Sequence, residues 1–363
     1  MNKHVNLSNI FDEERNEMDK NKIEFHQLYS QLSAQSRKES KPERCFYCGR
    51  KTTQFCNSHT IPAFVLRRIA ENGKLFTTGK IIGSPLISDE RGVNNSSIFN
   101  IICRECDSKV FKDYETPSNY DVVPTNRMLA QMAMKNHLRN IAKRLFERAF
   151  YAELKNKFGK KLGDMQEIIE LDFKEDMRGF RQAKKAIEKD WGDEYYLFFY
   201  EKLDYVVPIA FQGELNLLVG LNGEQINNVY NKSSNYKIQP LHVSVFPLEK
   251  TSVVMLFIEK GAKRYRSFYK EFNKLTLADK LAAINYMIFC LSEDVYLNKC
   301  LNDAYFEGEE FRRVVGKTNL LLSDNVSGND ANVINEDFSF SSMRKINNFL
   351  TLKVASKQAQ EEK

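Results

Sequence analysis

Two short cysteine pairs carry the clearest chemistry in this chain, Cys45-Phe-Tyr-Cys48 and Cys103-Arg-Glu-Cys106. A two-residue gap lets both sulfurs of a pair reach one ion, and four thiolates close a tetrahedron around Zn²⁺. Gly49 follows Cys48, where the tight turn of a zinc knuckle calls for positive φ. Four buried thiols without metal are the plain alternative. A closed four-thiolate shell has no open position, so such an ion staples chain segments and is not itself the catalyst. What it positions is the segment between the pairs, Cys56-Asn57-Ser58-His59-Thr60-Ile61-Pro62. A histidine near its ordinary pKa of about 6.5 can take a proton from water at neutral pH. His59 could equally cap a helix, or join Cys56 in displacing one thiolate from the zinc.

The totals leave that chemistry room. At 363 residues the chain is expected to divide into two or more domains. The 42% hydrophobic and 28% charged content is that of an ordinary globular protein. A net charge of +6 permits nucleic-acid binding without demanding it. The 7 cysteines are odd in number and crowd into the first third, unlike a secreted disulfide framework. The N-terminus lacks the apolar core of a signal peptide, and no apolar run reaches the roughly 18 residues of a spanning helix. A soluble, cytoplasmic protein with no membrane partner is expected.

The surrounding pattern predicts an α+β chain. Ile23, Phe25, Leu28 and Leu32 suggest a helix within an N-terminal extension over residues 1–40. A small domain follows over 41–120, with a helix at 61–70, a short strand at 98–102 entering the second cysteine pair, and a helix beyond it. A larger α+β domain spans 121–322, and residues 323–363 form a loop and a short helix near 343–354. Within the larger domain, helices are expected over 126–158, 174–189, 265–272 and 278–291. Strands are expected at 195–200, 206–211, 215–219, 241–246 and 252–258, where aromatic and β-branched residues gather between turn signals. Lys135, Arg139 and Lys143, with Arg144 and Arg148 nearby, form a basic stripe, read first as a solvated face and second as a phosphate track. Cys290 reads as a buried small hydrophobe. His242 lies in a strand without a partner nearby in sequence.

The order CxxC, Ser-His-x-Ile-Pro, apolar strand, CxxC-Asp, helix resembles the zinc-stabilised HNH endonucleases, over about 75 residues of the chain. The nearest pattern is a branch found in uncharacterised bacterial proteins, some suspected of acting against phage. The resemblance implies a zinc-stapled ββα-metal domain, treble-clef-like, beside the larger mixed helix/strand domain. It implies that His59 is the general base and that Asp107, after the last cysteine, ligates a catalytic Mg²⁺ or Mn²⁺. Glu115, about two turns further on, could complete that shell. Arg67 and Arg68 are placed to steady a substrate phosphate, with Lys109 and Lys112 assisting. This sequence departs from the family pattern at Ser58, where Asp or His is usual, and at Ile98, where an Asn is usual; Asn94, Asn95 and Asn100 are out of register.

The implied activity is metal-dependent hydrolysis of phosphodiester bonds, in DNA first and RNA second. The alternatives are a non-catalytic zinc-containing nucleic-acid-binding module, and a regulatory subunit that meets a protein partner or its own copy through residues 121–363.

Overall fold

The computed structural model describes residues 22–82, 88–159, 165–189, 192–231, 233, 235–292, 294–315, 317 and 338–354. The extension before residue 22, the loop at 323–337 and the charged tail from 355 lie outside the described residues.

The chain is α+β. Helix α1 (Lys22–Glu39) precedes strand β1 (Ser58–His59), helix α2 (Ala63–Ile69), strands β2 (Lys74–Thr77), β3 (Glu90–Gly92) and β4 (Ile98–Phe99), and helix α3 (Arg104–Val110). Two long helices follow, α4 (Asn126–Phe158) and α5 (Met165–Glu188). Then come strands β5 (Tyr195–Leu203), β6 (Ile209–Leu215), β7 (Leu241–Pro247) and β8 (Ser252–Glu259). Helices α6 (Arg266–Lys274) and α7 (Leu277–Leu291), strand β9 (Tyr296–Leu297) and helix α8 (Glu309–Val315) complete the set.

Seven strands form one antiparallel sheet in the order β3-β2-β9-β6-β7-β8-β5, and β1 pairs with β4 separately. Strand neighbours alternate between faces, and the two sides of this sheet are both covered. Val243, Val245, Val254 and Leu256 face a core shared with α6 and α7. Phe246, Val253, Met255 and Phe257 face a second core built on α2, α4 and the cysteine-bearing segment. Burial on both faces explains why β7 and β8 read as continuous apolar runs. The sheet crosses residue 120: Phe76 and Thr77 of β2 pair with Leu297 and Tyr296 of β9.

Helix α4 is the axis of the second core. Thr125 caps it by accepting the Met128 N–H at 3.3 Å, and Gly159 ends it at φ 63°. From Met128 to Leu138 every side chain is buried. Arg127 and Arg139 flank this stretch, and Lys135 is the one Lys or Arg inside it. This overturns the solvated-face reading of the basic stripe for Lys135, Arg139, Arg144 and Arg148, whereas Lys143 is exposed as that reading expects. Lys135 is wholly buried, Arg139 pairs with Asp294, Arg144 with Glu147 and Asp172, and Arg148 with Glu170. In the second half of α4, which packs on α5 and α1, Arg144 and Arg148 meet carboxylates of α4 and α5 while Lys143 faces solvent.

Two expected elements differ. Residues 216–219 leave the sheet after Leu215, and Val219 makes only a bridge to Gln225. Residues 343–354 form turns instead of a helix: Asn285 donates to the Asn347 carbonyl and accepts the Phe349 N–H, both at 3.0 Å, taking backbone groups a helix would use. Phe349 and Leu350 are thereby held in the core.

Candidate functional site

The four cysteines of the two pairs converge. One Sγ from each of Cys45, Cys48, Cys103 and Cys106 lies within 4.8 Å of all the others, and Cys48 and Cys103 are 4.0 Å apart. A Zn–S bond of about 2.3 Å implies sulfurs about 3.8 Å apart in a tetrahedron, so the cluster can hold a metal such as zinc. The first knuckle closes through Gly49 N–H to the Cys45 carbonyl at 2.8 Å, with Gly49 at φ +70°. The second is set by α3, whose first turn contains Cys106. Cys103 N–H donates to Cys45 Sγ at 3.3 Å and Arg50 Nε to Cys48 Sγ at 3.4 Å, as suits thiolate acceptors. Burial works against ionisation of Cys48, but Arg50 and its neighbours bring that thiol down to about 6. Cys56 stands outside the four-sulfur group, its Sγ 3.5 Å from the Ile102 carbonyl, and burial pushes its thiol up to about 12.

Beside this cluster, β1 and β4 pair through Ser58↔Phe99 and His59↔Ile98, and α3 follows directly. His59 is half-buried, with Nε2 3.2 Å from the Val93 carbonyl. A carbonyl can only accept, so Nε2 carries the proton and Nδ1 is left with a lone pair. Burial lowers the pKa of His59 and outweighs the Val93 carbonyl and Asp107, which raise it; Lys135 and Arg67 act with burial, so the ring is neutral at pH 7.

Asp107 and Glu115 also converge, on the ammonium of Lys135. Lys135 Nζ donates to Ser58 Oγ at 2.6 Å, Asp107 Oδ1 at 2.8 Å and Glu115 Oε1 at 3.0 Å. Its three protons are all used, and its Nζ lies 4.2 Å from the Phe111 ring centroid. Ser58 completes the ring by donating to Asp107 Oδ1 at 2.5 Å. Desolvation opposes the Asp107 charge, yet Lys135 and Ser58 hold its carboxyl below the usual range; burial raises that of Glu115. Sequence reasoning placed both carboxylates at one point but missed the lysine. The signal was present: Lys135 is the one Lys, Arg, Asp or Glu in the stretch 128–138 of α4.

Arg67 and Arg68 are exposed on α2 and line a groove of about 690 Å³ together with Phe64, Ser118, Lys202 and Lys250. Asp121 and Glu249 also line it, and Lys202 pairs with Asp121 at 3.3 Å. His59 is not among the lining residues. Lys109 is paired with Glu105, and Asn100 donates to Asn57, so neither joins the His59 cluster. No helix among the described residues is long and apolar enough to cross a membrane. No family model matches this chain, and no curated protein or solved structure shows significant similarity to it.

Proposed function

We propose that the chain is a zinc-stapled endonuclease of the HNH type, with His59 as its general base and DNA as its substrate. The observation that carries this reading is the His59 imidazole, neutral and held through Nε2, with Nδ1 open to accept a proton. In this reading Zn²⁺ in the four-cysteine cluster fixes α3 against β1 and β4. His59 Nδ1 takes a proton from water as the oxygen attacks phosphorus; the P–O3′ bond breaks with its electron pair on the 3′-oxygen, which takes a proton from solvent. Arg67 and Arg68 hold the nucleic-acid backbone at the mouth of the groove.

The divalent ion implied for Asp107 and Glu115 does not fit that pair as it stands. Mg²⁺ would need their oxygens at about 2.1 Å, at the point where they bind the Lys135 ammonium. No hydrolytic step is therefore routed through it. This same contact favours the second reading, a non-catalytic zinc-containing module that binds nucleic acid through the basic groove.

Plasmid cleavage by the full chain, with Mg²⁺, with Mn²⁺ and with EDTA, beside His59→Ala, separates these. Cleavage that drops at least about 100-fold in the variant is expected for a lost general base. Retarded migration of DNA without cleavage would transfer the case to the binding module. Neither cleavage nor retardation would leave the regulatory subunit.

A further inference from the structure

The second core contains another polar cluster, and the endonuclease reading makes no use of it. His137 is on α4, two residues beyond Lys135. Glu214 on β6 stands directly opposite His242 on β7 in the strand register. One ligand atom from each of these three lies within 4.8 Å of the other two. We propose that His137, His242 and Glu214 bind a divalent first-row transition-metal ion, at a site distinct from the four-cysteine cluster.

His242 is completely buried, and its Nε2 has no hydrogen-bond partner. Its other nitrogen, Nδ1, is 3.1 Å from Asn136 Nδ2, and Gln212 Nε2 donates to Asn136 Oδ1 at 3.1 Å. Gln212 Oε1, at the end of this row, is also buried without a partner. Turning both amides by half a turn reverses the row: Asn136 Oδ1 then accepts His242 Nδ1–H and Asn136 Nδ2 donates to Gln212 Oε1, with the 3.4 Å contact from Gln212 to the Met132 carbonyl given up. His242 Nε2 is then a buried lone pair without a hydrogen-bond partner, backed by an amide on the other ring nitrogen. Metal-binding histidines are held this way.

The cluster gathers acids and imidazoles in one buried place. His137 Nδ1 lies 3.0 Å from Glu214 Oε2 and 3.4 Å from Asp176 Oδ1, so two buried carboxylates meet one imidazole. Asn140 donates to both carboxylates, which leaves their charge unchanged. The guanidiniums nearby are paired elsewhere, Arg144 with Glu147 and Asp172, and Arg178 with Glu259. Two imidazole nitrogens with carboxylate oxygen suit Zn²⁺, Mn²⁺, Fe²⁺ or Co²⁺ better than Mg²⁺ or Ca²⁺. A cavity of about 70 Å³ adjoins His137, Asp176 and Glu214, with room for water to fill the remaining positions. The backbone at Gly179 fixes the His137 ring: a Cβ there would lie 2.3 Å from Nε2. An ion would tie α4 to the paired strands β6 and β7, with Asp176 on α5 beside it.

The competing occupant is a proton on His137, shared with Glu214 and Asp176. Metal content of the full chain, purified and then equilibrated with Zn²⁺ or Co²⁺, decides between them. The wild-type chain is expected to hold about two equivalents, and His242→Ala and Glu214→Gln about one each, with the four-cysteine ion retained. The Co²⁺ form supplies a second readout: weak ligand-field bands that vanish in Glu214→Gln, while sulfur-to-metal absorption stays. Glu214→Gln keeps the side-chain shape, so its circular dichroism should match the wild type. A wild-type chain whose whole metal content disappears in Cys45→Ser, with unchanged spectra in Glu214→Gln, would overturn the site.

Discussion

Two buried clusters sit two residues apart on helix α4, and they handle charge in opposite ways. Around Lys135, two carboxylates and a hydroxyl meet an ammonium whose three protons are all placed. Around His137, two carboxylates meet imidazoles, and a buried ring nitrogen of His242 has no partner. The first cluster contains a fixed ammonium; the second is held by a histidine whose proton a metal ion could replace. A close set of acids and histidines therefore does not define a metal site until the protein's own cations have been traced to their partners.

The largest expected effect concerns the four-cysteine cluster beside the Lys135 site. Cys106→Ser removes a ligand from the four-sulfur group, and structural zinc supplies on the order of 10 kcal/mol of folding energy in small modules. Limited proteolysis should then cut between residues 41 and 120, while the β6–β8 part of the sheet stays resistant. Equal resistance throughout would show that the cluster is not needed to hold this segment.

Lys135→Met comes next. It strands Asp107 and Glu115 as half-buried like charges, with an expected loss of about 2–3 kcal/mol in urea unfolding at pH 7, below the range for a fully buried pair. A loss under about 1 kcal/mol would mean that the ammonium is no more than a surface-grade partner. The pH dependence has a sign for each group. The folded pKa of Asp107 is depressed, so its contribution is present above the unfolded value of about 3.9 and is lost as pH falls through the folded one. That of Glu115 is raised, so its charge costs stability above the folded pKa, and acidification towards that value relieves the cost. The Lys135→Met deficit should therefore shrink on mild acidification, as Glu115 protonates.

Gly179→Ala sharpens the other side of the comparison. The added methyl would press on the His137 ring at 2.3 Å, and overpacking of this kind costs about 1–3 kcal/mol. If an ion fixes that ring, the loss should be greater in the metal-loaded chain than after chelation; equal losses would show that the imidazole is free to move. The smallest effect belongs to the groove. Arg67→Gln or Arg68→Gln should weaken DNA retardation and lower the salt slope of binding by about one for each phosphate no longer neutralised. An unchanged slope in both would remove the groove from any nucleic-acid interface.

Sequence alone determined the parts of this protein that depend on local spacing. The CxxC pairs announced a four-sulfur cluster and the apolar runs marked most strands; Glu115, expected two turns along the helix of Asp107, instead lies beyond the end of that helix at Val110. The span of α4 was also legible, because helical periodicity acts within a few residues. Only the tertiary structure decided which charges neutralise which. Lys135 looked like one member of a basic stripe because a helical row of cations has the same spacing whether it faces water or acid. Glu214 and His242 were unremarkable apart, and antiparallel pairing set them face to face. Burial then gave both clusters their force: a charge that water would have screened at the surface must here be met by a particular partner, and that partner lies far away along the chain.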